Sequence, residues 1–140
     1  MATANRVILI DTDVLLDVAA TDPQWADWSQ GQLDAASARD RLAVNAVVYA
    51  ELSAGYDSIE ALETTLARFG LELAEIPRLA LFLAGKAFRD YRRKGGVRTG
   101  VLADFFIGAH AVVEGWTLIT RDPVRYRTYF PAIELIAPNR

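Results

Sequence analysis

Residues 6–17 read RVILIDTDVLLD, and the change of character within this stretch decides the fold. Its first half, residues 6–10, is a short continuous apolar run of the kind that forms a strand buried on both faces of a sheet. Two aspartates then interrupt the run, and Thr12 or Asp13 is placed to cap a helix beginning near Val14. A buried strand that turns at once into a helix is the repeating unit of parallel sheets.

The same alternation continues outward from this unit. Asp22-Pro23 offers an N-cap and a proline at the first helical position for a helix carrying Trp25 and Trp28, both read as packing groups. Residues 42–44 form a short strand, and residues 46–53 a helix that breaks at Gly55. Asp57 and Glu60 have capping-box spacing for a helix over 59–69 that Gly70 ends, before an extended piece at 73–76. Pro77 opens the longest helix, in which Ala80, Leu83, Ala84, Ala87, Phe88 and Tyr91 make one apolar arc, and Gly95-Gly96 stops it. A loop, VRTG, leads to a helix over 101–114, a strand over 117–120, a short helix from Pro123 and a last strand near 133–136. Short apolar strands alternating with amphipathic helices predict an α/β fold with a parallel sheet covered on both faces. With 140 residues, 52% of them hydrophobic, and no linker-like stretch, the chain reads as one domain over 1–140.

Composition narrows the chemistry. There is no cysteine and a single histidine, which excludes thiolate zinc sites, iron–sulfur clusters, thiol nucleophiles and multi-histidine metal centres, and leaves oxygen-ligand cations. The apolar run in MATANRVILI is too short for a signal core with a cleavage region, and no later stretch approaches a membrane span, so a cytoplasmic protein is expected. The formal charge of −3 conceals a basic segment in which Lys86, Arg89, Arg92, Arg93, Lys94 and Arg98 face Asp90 as the nearby acid.

Four carboxylates stand where charge is costly without a cation. Asp11 and Asp122 follow strands, at the sheet edge where ligands of parallel sheets gather. Each also has a simpler reading, Asp11 as a turn residue and Asp122 as a cap before Pro123. Glu51, in NAVVYAEL, projects into an apolar helix stripe at 100° per residue and is expected to point inward. Asp104, in LADFFIGAHA, lies among Val101, Gly108, Ala111 and Val112. The helix dipole is worth roughly 0.3–1 kcal/mol to an exposed first-turn acid, less than an unpaired buried carboxylate costs. Gathered in one pocket, these acids would repel and shift one another unless a hard divalent cation, Mg²⁺ or Mn²⁺, neutralised them; retained water would then serve as nucleophile on a phosphodiester. His110 falls on the polar side of its helix, turned away from Asp104, and is expected at the surface. Lys86, Arg89 and Arg93 share a helix face and Arg98 extends it into the loop. These residues form either a solvated face or a phosphate-binding stripe, with Arg121, Arg125 and Arg127 on the other side of the site.

ILIDTDVLLD, NAVVYAEL, GGVRTGVLADFFIGAHA and LITRDPVRYRTYFP together resemble the PIN-domain nucleases, specifically the VapC-type ribonuclease toxins of toxin–antitoxin pairs. The resemblance spans nearly the whole chain. It implies a three-layer α/β/α sandwich, Mg²⁺- or Mn²⁺-dependent endonucleolytic cleavage of RNA leaving a 5′-phosphate and a 3′-hydroxyl, homodimers, and inhibition by a small VapB-type antitoxin. It places Asp11, Glu51, Asp104 and Asp122 in the family's acidic quartet, with Thr120 as a supporting hydroxyl. The chain departs from the pattern at Asp13, where many members carry a small polar residue, and at Ala103, where proline often precedes the third acid. Asp13 would add a ligand or change metal preference. Other classes compete. The DxD of ILIDTDV also resembles haloacid dehalogenase-like phosphatases, with Asp11 as covalent nucleophile, although that reading needs a supporting lysine. A non-catalytic RNA-binding module or an acidic phosphoacceptor receiver domain would use the same acids differently.

Overall fold

The computed structural model describes residues 6–139, so the first five residues of the N-terminal run lie outside it. Five strands, β1 (Val7–Ile10), β2 (Arg41–Asn45), β3 (Leu71–Ala74), β4 (Thr117–Ile119) and β5 (Glu134–Ile136), form one sheet in the order β3-β2-β1-β4-β5. All neighbours are parallel. Ile8, Leu9 and Ile10 are each fully buried, although successive side chains of a strand point to opposite faces, so both faces of the sheet are covered. The covering helices are α1 (Thr12–Ala19), α2 (Ala26–Ser37), α3 (Ala46–Ser53), α4 (Ile59–Arg68), α5 (Arg78–Arg93), α6 (Val101–Glu114) and α7 (Val124–Tyr129). The result is the three-layer α/β/α sandwich.

The strand order places the site. From β1 the chain moves outward to β2 and β3, then returns past β1 to β4 and continues to β5. The direction of travel reverses between β1 and β4, and the loops beyond their carboxyl ends diverge and leave a crevice there. Asp11 and Asp122 follow those two strands.

Local departures from the sequence reading have physical causes. Asp11 itself caps α1, one residue earlier than the Thr12 or Asp13 expected, because its extended backbone turns its carboxylate onto the Thr12 N–H at 2.7 Å. Asp22 does accept from the Gln24 and Trp25 N–H groups, both at 2.9 Å, but the residues between remain a turn and α2 starts at Ala26. Ser58, not Asp57, caps α4 by accepting from the Ala61 N–H at 3.1 Å. Strand β3 runs over 71–74 rather than 73–76; as an edge strand it buries Leu71 and leaves Leu73 exposed, so apolarity did not mark its register.

The surface position expected for His110 is wrong. The residue is fully buried, because α6 packs on both the sheet core and the α5–α7 cluster and has little solvent face. Asn45 caps α3 by accepting from the Val47 and Val48 N–H groups, each at 3.1 Å. Its amide nitrogen therefore faces His110 Nδ1, 3.2 Å away, as donor. Nδ1 must accept, which puts the imidazole proton on Nε2. Burial drives the His110 pKa down to about 4, so the ring is neutral. This single contact ties α6, which carries Asp104, to α3, which carries Glu51.

Two clusters share the core. One unites the sheet with α1 to α4; the other packs small α5 residues, Ala80, Ala84 and Ala87, against Val101, Phe105, Ala109 and Phe130. Gly108 lies where α6 meets the Phe130 and Tyr126 rings. A Cβ there would sit 2.6 Å from the Phe130 ring and 3.0 Å from the Tyr126 ring, and Phe130 cannot retreat because it already meets Phe105 edge-on. Overpacking of this kind costs about 1–3 kcal/mol, against roughly 1 kcal/mol of helix propensity gained by alanine. Gly108→Ala is expected to lower the urea midpoint of unfolding, and an unchanged or raised midpoint would contradict this packing.

Candidate active site

Asp11 anchors the site. Its N–H donates to the Ile119 carbonyl at 3.0 Å, which fixes the end of β1 beside β4. Its carboxylate is buried and accepts from the Thr120 hydroxyl and the Tyr126 phenol, both at 2.8 Å, besides the Thr12 N–H. Burial nevertheless raises its pKa to about 6, with Asp104 adding repulsion and the hydrogen bonds opposing. Tyr126 is held well above its ordinary phenol range by burial and by the Asp11 charge, so it stays protonated and donates.

Asp13 stands in the first turn of α1, with its Oδ2 3.4 Å from the Thr120 hydroxyl oxygen. The single Thr120 proton goes to Asp11, the nearer acceptor. Asp13 Oδ1 is buried with no hydrogen-bond partner. Burial first, then repulsion from Asp11 and Asp122, raise the Asp13 pKa to about 8. Thr120 Oγ1 also accepts from the Asp122 N–H at 3.1 Å, so one hydroxyl orders the turns after both central strands.

The other three acids arrive from separate elements. Glu51 departs from expectation: the residue is exposed rather than pointing inward, since Val48 and Leu52 take the buried face of α3. Its flexible side chain folds back so that the carboxylate accepts from the Thr12 hydroxyl at 2.6 Å. Asp104 is half-buried and paired with Arg125 at 2.5 Å. Burial pushes its carboxyl up, and the guanidinium pulls it partly back. Asp122 is largely exposed and lies 3.2 Å from Arg121 Nη1. Arg121 is itself tied by its Nε to buried Asp17 at 2.8 Å, and Asp17 also accepts from the Ser29 hydroxyl at 3.0 Å.

All four acids, with Asp13, line one cavity of about 800 Å³, together with Arg98, Arg125, Arg127, Tyr91 and Tyr129. Lys86, Arg89 and Arg93 do not line it and stay on α5. The sequence reading did not single out Tyr126, Thr12 as a partner of Glu51, or the Asp17–Ser29 pair behind Arg121. An acid among apolar residues in VLLDVAA was the one signal that pointed to Asp17.

The residues suit a hard cation by donor chemistry: every acid offers oxygen, one buried oxygen of Asp13 lacks a hydrogen-bond partner, and the Asp11 and Asp13 carboxyls are raised by burial first, with repulsion between neighbouring acids adding to it. Among the described residues, however, no three acidic or histidine side chains are arranged around a single point. Glu51 is turned to Thr12 and Asp104 to Arg125. Rotation of these two exposed or half-exposed side chains is what a shared ligand would require.

The sequence profile of the PIN domain matches residues 8–131. A search of curated protein sequences finds no match. Among solved structures, a chain of VapBC2 from Rickettsia felis, in a complex bound to a DNA fragment from its promoter, is similar with a TM-score of 0.71 and 21% identity, over 95% of this chain and 99% of that one. A chain of VapBC-1 from nontypeable Haemophilus influenzae gives 0.68 and 18%, over 94% and 97%. A chain of a toxin–antitoxin complex from Klebsiella pneumoniae gives 0.67 and 17%, over 95% and 98%.

The buried Asp13 carboxyl, with one oxygen unpartnered, has a measurable consequence. Between pH 3.8, its ordinary value, and about 8, the folded chain binds this proton more tightly than the unfolded chain does. Its contribution to stability therefore falls as pH rises through that window in cation-free solution. Asp13→Asn is expected to melt several degrees above the wild type at pH 8 without divalent ions and to lose that advantage near pH 4. An equal difference at both pH values would contradict the assignment.

Proposed function

Since the chain belongs to the PIN-domain family, we propose that it is a divalent-metal-dependent endoribonuclease and the toxin member of a toxin–antitoxin pair. The observation that carries this reading is the meeting, in one cavity, of carboxylates from the ends of β1 and β4 and from α3 and α6, with arginines lining the same cavity. Mg²⁺ or Mn²⁺ bound there would lower the pKa of a water molecule and stabilise charge developing on a phosphodiester.

The chain's own residues divide the remaining work. Asp11, Glu51, Asp104 and Asp122 supply the oxygens that hold the ion. Thr120 and Tyr126 fix the orientation of the Asp11 carboxylate by donating to it, and Thr12 steadies Glu51. Asp13, with its unpartnered oxygen, stands ready as an additional acceptor. Arg98 and Arg127 line the cavity and are suited to phosphate oxygens, which position a nucleic acid without reading its sequence. Lys86, Arg89 and Arg93, on a helix that ends beside Arg98, extend a positive track for RNA beyond the cavity. Cleavage would leave a 5′-phosphate and a 3′-hydroxyl.

The likeness to chains of VapBC and toxin–antitoxin complexes supports a VapB-type antitoxin as partner; a homodimer as the working unit is part of the proposal. Among the described residues no helix is long and apolar enough to cross a membrane, which is compatible with action on RNA in the cytoplasm. A phosphatase using Asp11 as nucleophile gains no support: among the described residues no lysine lines the cavity.

Purified protein incubated with total RNA is expected to yield discrete fragments with Mg²⁺ or Mn²⁺ and none with chelator. Asp104→Asn, which removes charge while keeping size, should reduce cleavage to background with an unchanged circular dichroism spectrum. Wild-type turnover by this variant, or fragments that persist in chelator, would overturn the reading.

A further inference from the structure

Arg125 occupies an unusual position. It lies in the first turn of α7, where the helix dipole disfavours a cation. Its side chain is about one-third exposed and reaches across the cavity to Asp104 Oδ2 on α6, at 2.5 Å. Arg121, by contrast, is held by buried Asp17 as part of the scaffold. Arg125 has no such buried tether among its described bonds; the carboxylate that holds it belongs to the acid set.

The geometry points to Arg125 as a phosphate-binding residue that Asp104 holds latched until a divalent cation claims the carboxylate. The inference rests on the nuclease reading above and extends it to the order of events. A guanidinium and a divalent ion are alternative partners for one oxygen of Asp104. Before the exchange, the acidic side chains of Asp11, Asp13, Glu51, Asp104 and Asp122 outnumber the guanidiniums of Arg98, Arg125 and Arg127 on the cavity lining, and Arg125 is already neutralised by Asp104.

Once Asp104 is released, Arg125 has its planar fork of donors free in the same cavity, a geometry that matches two oxygens of a phosphodiester. The exchange makes cation binding and RNA binding mutually favourable. Lysine in this place would carry the charge without the fork, so it would preserve the latch in part and lose the paired contact. Arg127 lines the cavity without a described bond to Asp104, which makes it the control for net charge alone.

The test begins with Mn²⁺ titrated calorimetrically into the wild type, Arg125→Gln and Arg127→Gln without RNA. Arg125→Gln is expected to bind Mn²⁺ at least about tenfold more tightly, because it removes a direct competitor, and Arg127→Gln under about threefold more tightly, through screened charge. Equal affinities in all three proteins, or equal gains in both variants, overturn the latch while leaving the nuclease reading intact. Mn²⁺ binding to none of them overturns both. A fluorescent single-stranded RNA then reads the second half. With Ca²⁺ present, Arg125→Gln should bind it about tenfold more weakly than the wild type, and in chelator the two should match. A loss of the same size in both conditions would make Arg125 an ordinary phosphate contact and overturn the proposal.

Discussion

The carboxylate of Asp11 sits inside the protein at the one place where the parallel sheet reverses its direction of travel, and the surroundings are arranged to keep it there. A backbone N–H and two hydroxyls donate to it, yet burial still lifts its pKa to about 6. One of those hydroxyls belongs to Thr120 at the end of β4, the other to Tyr126 on α7. Tyr126 fits only because Gly108 leaves room for its ring and that of Phe130. A packing feature of α6 thus reaches the site through one phenol. Alanine packing between α5 and α6, the aromatic cluster around Phe105 and the position of α7 all bear on where a single carboxylate points.

Around this anchor the remaining negative charge is compensated in graded ways. Asp17 is deeply buried and has Arg121 and Ser29 as fixed partners. Asp104 has an arginine whose other end is free in the cavity. Asp13 has an oxygen with no partner at all. The first arrangement is that of a structural ion pair, where loss of one partner is costly. The last two leave electrostatic energy unsatisfied at a cavity wall, the condition under which a cation or a polyanion changes the most.

The outline of the fold was legible from pattern because each strand and its helix are local: 6–10 and 46–53 could be read from runs and caps within a few residues. Asp11 and Asp122 were legible for the same reason, since both follow strands that topology brings together. The helical wheel was less reliable. It took the polar sector of α6 for solvent, whereas a helix wrapped on more than one side buries His110 against Asn45. It placed Glu51 inside, while the residue is exposed and only its long side chain turns back to Thr12. What the sequence could not display were partners far apart along the chain: Thr120 and Tyr126 lie 109 and 115 residues from Asp11, and no periodicity encodes such a pairing. The edge register of β3 was hidden because an edge strand need not be apolar on both faces.

Asp11, Glu51, Asp104 and Asp122 would have to form one cation-holding pocket at the β1–β4 edge, despite arriving from four elements. Crystals of the wild-type protein soaked in Mn²⁺ and measured at the manganese absorption edge test it most directly. The expected result is an anomalous peak within ligand distance of Asp11, with the Asp104 carboxylate turned from Arg125 towards it. A well-diffracting soak with no peak in the cavity, or with manganese bound only elsewhere, would contradict it.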